Sequence, residues 1–194
     1  MDKTIKLKRV TKETDIALEL NLAEKGKVEI NTPVPFFNHM LTAMAFHGGF
    51  SLKIDADGDV AVDAHHLVED IGLVLGDAMC QYKEKFSPLH RFGFSVIPVD
   101  DALSEAVIDV SGRPYMVLNA DFPQPYSGTF DMSLLREFFI AMANKAQITL
   151  HLNCRYSMNS HHMAEALFKA CGKAMGQAYS PADGGQVLST KGLL

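Results

Sequence analysis

The chain has 194 residues, 47% hydrophobic and 21% charged, with a formal net charge of −5. This is the composition of an ordinary globular protein that can bury a core without staples, and 18 basic against 23 acidic residues exclude the strong basic field of a nucleic-acid or anionic-membrane binder. Cys80, Cys154 and Cys171 are never spaced CxxC, and no stretch reads as a signal peptide or a membrane span, so a cytoplasmic protein without disulfides or thiolate zinc is expected.

In chain order, residues 16–22 alternate Ile16, Leu18, Leu20 and Leu22 with smaller or polar residues, the sign of a half-buried strand. Gly26 marks a turn, and 27–31 returns as the next strand. Phe36, Phe37, Met40, Leu41 and Met44 recur at helical spacing, and His47-Gly48-Gly49 stops that helix. Leu52, Ile54 and Ala56 form a strand ending at Asp57-Gly58-Asp59, and a helix over about 64–83 follows. Beyond it come strands near 92–98, 103–110 and 114–120, a helix over 131–146, a strand over 148–154 and a helix over 159–179. The tail from Ser180 reads as a loop ending in STKGLL.

The second half repeats the first. HHLVEDIGLVLGDAM (65–79) matches HHMAEALFKACGKAM (161–175) at an offset of 96. NHMLTAMA (38–45) matches REFFIAMA (136–143), and SLKID (51–55) matches TLHLN (149–153), both at 98. The three matches keep their order, so a duplicated unit is expected: 1–90, 91–180 and a C-terminal tail over 181–194, together one functional domain. Strands grouped ahead of helices give an α+β class, each half a two-layer unit of mixed sheet on helices.

HHxxE occurs twice, at His65-His66-Glu69 and His161-His162-Glu165. On a helix, residues three and four apart are neighbours, whereas adjacent residues diverge by about 100°. One ion therefore does not take both histidines of a pair, and two metal sites are expected, each drawing on both repeats or on two subunits. Imidazole with carboxylate suits Mn, Fe, Zn or Ni. His39 shares a helix face with Ala43 and His47, and the duplication aligns it with Glu137. Arg91, Arg113 and Lys191, the last beside Ser189, are of the type that grips phosphate. Glu13, in TKET, has a surface residue as its default reading. Asp100 and Asp101 read as paired carboxylates or as a turn. Nothing resembles GxGxxG, a P-loop or GxSxG, so nucleotide binding and serine hydrolysis have no support.

Taken together, TKETDI (11–16), PFFNHM (35–40), HGGF (47–50), DAHHLVED (63–70), RFG (91–93), PVDDAL (98–103), DVSGRPY (109–115), TLHL (149–152), NSHHMAEALFKA (159–170) and STKGLL (189–194) resemble, in order, the signatures of the imidazoleglycerol-phosphate dehydratase family. The resemblance implies a duplicated α+β fold and a homo-oligomer of about twenty-four subunits, with active sites at subunit interfaces and two Mn(II) ions in each. Position by position it places metal ligands on His39, His65, His66, Glu69, His161, His162 and Glu165, with the last on Glu137, where many members have His. It places substrate contacts on Glu13, His39, His47, His65, His66, Glu69, Arg91, Arg113, His161, Lys169, Ser189 and Lys191, and proton transfer on Glu13, with Glu69 and Glu165 as further acid–base candidates. Asn38 stands where Asp is more usual, and Thr42-Ala43 where Asp-Gln is frequent.

The activity so implied is dehydration of D-erythro-imidazole glycerol phosphate to imidazole acetol phosphate. Two Mn(II) ions would stabilise the ring as imidazolate, and expulsion of the carbinol hydroxyl would give a diazafulvene with a removable neighbouring proton. A metal-storing or metal-sensing protein would share the His/Glu clusters without needing the phosphate-type cations or Glu13. A di-metal hydrolase would use a bridging water.

Overall fold

In the first half, Ile16, Leu18 and Leu20 on β2 (Thr14–Asn21) and Leu52, Ile54 and Ala56 on β4 (Ser51–Gly58) all turn to one buried face, as a period of two requires. These strands pair antiparallel, and with β1 (Ile5–Val10) and β3 (Val28–Asn31) they form a sheet of order β1-β2-β4-β3. The second half builds β5 (Phe92–Val99), β6 (Ala102–Asp109), β7 (Tyr115–Asn119) and β10 (Thr149–Tyr156) into a sheet of order β5-β6-β10-β7. The wiring is the same, down to the parallel pairs β3–β4 and β7–β10. The structure, a computed structural model, describes residues 2–182.

The expected α+β class and its duplication are present, with four local differences. β1 carries no clear sequence signal because it is an edge strand with only Ile5 fully buried, the rest being lysines, arginine, half-covered Leu7 and exposed Val10. β3 does not fold back on β2. The connection through α1 (Pro35–Gly48) lays it parallel to β4 instead, since parallel strands need a crossover. α2 (His65–Phe86) runs past residue 83 and stops at Ser87, before Pro88, where the α conformation is disfavoured. α3 (Leu134–Ala146) starts later than 131 because Phe130–Asp131 forms β9, paired with β8 (Tyr126–Ser127), and Asp131 accepts from the Ser133 N–H and hydroxyl.

The helices cross between halves. α1 packs on α4 (Ser160–Ala178), and α2 packs on α3. Small residues permit both contacts: a Cβ at Gly172 would overlap the carbonyl oxygen of Met44, and one at Gly76, its duplicate, the carbonyl oxygen of Met142. Phe37 bridges the halves, edge-on to Phe138 (5.1 Å) and Phe168 (6.4 Å). One continuous apolar core results. The outer faces of the two sheets differ. The first pairs Lys6 with Glu19 (2.9 Å) and Lys8 with Asp15 (3.3 Å), while the second exposes Phe92, Phe94, Val96 and Val107.

Candidate metal centre at the helix starts

Both HHxxE segments occupy the first turns of the helices that follow β4 and β10. Asn159 caps α4, its side-chain oxygen accepting from the His161 and His162 N–H groups at 2.9 and 3.4 Å, and Asp63 accepts from the His65 N–H at 2.8 Å. Such caps satisfy donors that a helix start leaves open. α1 begins with Pro35, suited to the first helical position. Asn38 ties that start to Thr32, accepting from its hydroxyl (2.6 Å) and donating to its carbonyl (2.9 Å). An Asp there would lack the donor, so Asn38 holds the helix start rather than the neighbouring imidazole.

His39 reaches across to the other repeat. Its Nε2 lies 3.5 Å from Glu165 Oε2, and His161 Nε2 lies 3.4 Å from the same oxygen. One donor atom from each of the three falls within 4.8 Å of the others. Phe36 stands edge-on to the His161 ring at 5.4 Å. Burial pushes the Glu165 carboxyl up, but Lys169, hydrogen-bonded at 2.6 Å, and His39 outweigh it, and the group stays below the usual carboxylate range. His47 is pushed down, by burial first and then by the charges of Lys169 and Lys173.

In the first repeat, His65 Nε2 approaches Glu69 Oε2 at 3.4 Å. His66 turns Nδ1 to Asp59, 3.2 and 3.0 Å from its two oxygens, and Glu13 Oε2 stands 4.0 Å from the same nitrogen. The hydrogen bond to Asp59 raises the His66 pKa despite desolvation. In the second repeat, His162 Nδ1 meets Asp101 Oδ1 at 2.5 Å, and its Nε2 lies 3.5 Å from Asp100 Oδ2. That hydrogen bond, with the Met158 N–H, holds Asp101 well below the usual range.

Among the described residues, His39, His161 and Glu165 are the one trio of His and acidic side chains closed tightly enough for a metal. Glu137, half-buried on α3, stands outside that trio, as do His65 and Glu69. The anion-type cations gather elsewhere. Arg91, at φ 73°, forks onto Asp109 at 2.7 and 3.3 Å, which raises its pKa, while Arg113 Nη2 lies 3.8 Å from that carboxylate with most of its side chain exposed. Ser189, Lys191 and the 183–194 part of the tail lie outside the described residues. Asp59 read in the sequence only as part of the turn after β4, and Asp63 only as the first residue of DAHHLVED. Asp100 and Asp101 form the tight turn between β5 and β6.

A family model described as imidazoleglycerol-phosphate dehydratase matches residues 32–175. The imidazoleglycerol-phosphate dehydratase of Gluconobacter oxydans is 47% identical over 191 residues, covering 97% of this chain and 96% of that protein. The one from Pelobacter propionicus is 46% identical over 196 residues, with both chains fully covered. Among solved structures, the Staphylococcus aureus enzyme superposes with a TM-score of 0.84 at 37% identity, covering 92% of this chain and 99% of that one. The Pyrococcus furiosus enzyme gives 0.84 at 38%, covering 97% and 100%.

Proposed function

The chain belongs to the imidazoleglycerol-phosphate dehydratase family and is a lyase of histidine biosynthesis; from that premise we propose that it converts D-erythro-imidazole glycerol phosphate to imidazole acetol phosphate with two Mn(II) ions per active site. The observation that carries the metal reading is the meeting of His39, His161 and Glu165 across the two repeats. Two imidazoles and a carboxylate, without thiolate, suit a borderline-to-hard divalent ion. Cys171 is no rival, since burial pushes its thiol up to about 12. His65, His66, Glu69, His162 and Glu137 complete the ligand set in this reading.

When bound, the ions would supply Lewis acidity toward the substrate's imidazole ring and fix its orientation. The chain's own residues do the rest. Loss of the hydroxyl from the ring-bearing carbon together with the ring N–H proton, as water, would leave a diazafulvene, in which the hydrogen on the next carbon becomes acidic. Glu13, more than half exposed beside His66, removes that proton, and the enol so formed rearranges to the ketone. Arg113 and Arg91 take the phosphate, Arg91 being already oriented by Asp109. Ser189 and Lys191 join them from the tail. Lys169 keeps Glu165 ionised for its ligand role.

Within one chain the His65–Glu69 pair is a partial set, which supports active sites completed between subunits of a homo-oligomer, expected at about twenty-four copies. The exposed apolar outer face of the second sheet is a suitable surface for contact between copies. Three unpaired cysteines accord with the cytoplasm, and no helix among the described residues is long and apolar enough to cross a membrane.

The test is turnover of imidazole glycerol phosphate, followed by ketone formation, with protein stripped of metal and then resupplied with Mn(II). Activity only in the resupplied sample is expected. Metal binding without turnover would instead favour a storage or sensing protein, and phosphate release a di-metal hydrolase.

A further inference from the structure

Strand register relates the two halves residue by residue. Leu20 faces Leu52 between β2 and β4, and Ile108 faces Leu150 between β6 and β10. Leu52 and Leu150 are duplicates, so Leu20 corresponds to Ile108 at an offset of 88, and the same offset carries Glu13 onto Asp101. Both acids therefore occupy the turn of the first hairpin of their half, and both approach the second histidine of the HHxxE beside them. The turns differ. The β1–β2 pairing ends at Val10–Asp15, whereas the β5–β6 pairing runs one step further than the corresponding pair, to Val99–Ala102. The looser first turn is held by Thr11, whose hydroxyl accepts from the Glu13 and Thr14 N–H groups at 3.1 and 2.9 Å. Glu13 is left projecting, 4.0 Å from His66 Nδ1. Asp101 is committed on every side, 2.5 Å from His162 Nδ1, 2.6 Å from the Met158 N–H and 3.0 Å from the Ser157 hydroxyl.

A second seat lies in the connection between the inner strand and the helix. In the first half it holds Asp59, 3.0 Å from His66 Nδ1. In the second half that connection carries Ser157, which turns to Asp101 instead. The carboxylate that grips the histidine has thus changed seats between repeats.

We propose that Asp59 and Asp101 are the positioning residues of His66 and His162, each accepting Nδ1–H so that Nε2 carries the free lone pair, and that Asp59's tenure of this task leaves Glu13 available for proton transfer. The outer partner of a ligating imidazole fixes its tautomer and ring plane, and losing it typically costs 10–100-fold in metal affinity. A carboxylate already bound to an imidazole, an amide and a hydroxyl has little freedom to follow a substrate proton, so the two hairpin acids cannot share one role. The link to metal and catalysis rests on the function proposed above. The tautomers do not, because they belong to the metal-free chain.

The experiment is magic-angle-spinning NMR of the full-length, metal-free protein labelled with 15N-histidine, in alkaline buffer where the rings are neutral. His66 and His162 are expected as Nδ1–H tautomers, in contrast to the Nε2–H form that Asp100, at 3.5 Å from His162 Nε2, would favour. Asp101→Ala should release His162 alone, and Asp59→Ala His66 alone, each lowering Mn(II) affinity 10–100-fold by EPR titration of free ion. Asp101→Asn keeps an acceptor oxygen and should restore the tautomer, which a purely structural role at the turn would not do. Glu13→Gln should leave the His66 tautomer unchanged. Nε2–H at His66 or His162 in the parent protein overturns the proposal, as does Nδ1–H persisting in its own Ala variant or released by Glu13→Gln. If Asp101→Ala does not fold, Asp59→Ala, away from the hairpin turn, decides by the same criteria. A protein with the expected tautomers and no Mn(II) binding would sink the metal reading and leave the positioning result standing.

Discussion

The two halves share strand order, parallel pairs, helix contacts and an HHxxE helix start, yet differ in what surrounds that start. On the α1–α4 side, His39 meets His161 and Glu165. On the α2–α3 side, the duplicate of His39 is Glu137, and no such trio closes among the described residues. One sheet turns ion pairs outward and the other aromatic and aliphatic side chains. The frame is conserved because its buried positions answer to one another through a shared core, where changes in volume are costly. The His and Glu side chains at the helix starts are only partly buried and bear less of that constraint, so equivalent seats are free to take different tasks.

The harshest way to break the comparison is to remove the metal. Dialysis against a chelator is expected to abolish turnover and shift the particle to smaller species by light scattering, since a ligand bound at an interface favours assembly. Mn(II) should restore both. Anomalous scattering at the manganese edge should then find two ions per site in the parent protein, with His39→Ala losing one of them. Two ions persisting in His39→Ala would leave the cross-repeat trio without its role.

Next in size is Glu13→Gln, which keeps shape and removes the exchangeable proton. A fall of about 10²–10⁴-fold in kcat with little change in KM is expected, the usual contribution of a positioned acid or base. Near-normal turnover with full metal occupancy would pass the proton to Glu69, Glu165 or a bound water.

Smaller still, Gly76→Ala and Gly172→Ala should each destabilise by about 1–3 kcal/mol, because the added methyl meets backbone of the facing helix. Thermal unfolding of the pair tests whether the two seams are equally close. A variant as stable as the parent would show that its seam can yield.

The smallest effect concerns acid. The folded pKa of Glu165 lies below its ordinary value, so its share of stability is present above the unfolded value of about 4.3 and is lost as pH falls through the folded one. In metal-free protein, denaturant midpoints should therefore fall in acid less steeply for Glu165→Gln than for the parent.

Much of this was legible in sequence because it is periodic. Leu18, Leu52 and Leu150 announce buried strand faces, and two copies of HHxxE at one offset announce a duplicated helix start. What was illegible depends on contacts between distant residues. Nothing near His162 points to Asp101, 61 positions earlier, because a hairpin turn and a helix start meet only once the sheet has formed. β1 hides for a different reason, being too exposed to leave an apolar rhythm. The seating of α1 on α4 rather than on α2 is set by Gly172 and the size of its neighbours, which no local pattern records.

That exchange of helices bears on what a fragment could do. Each half covers its helices only in part, since α1 and α2 pack on their own sheet but find their helical partner in the other repeat. A gene shortened to one repeat would yield a chain with two bare helix faces, obliged to borrow a twin's helices about a two-fold axis in order to fold. The present protein carries that twin on the same chain, so the two copies have been able to change independently while remaining in equal supply.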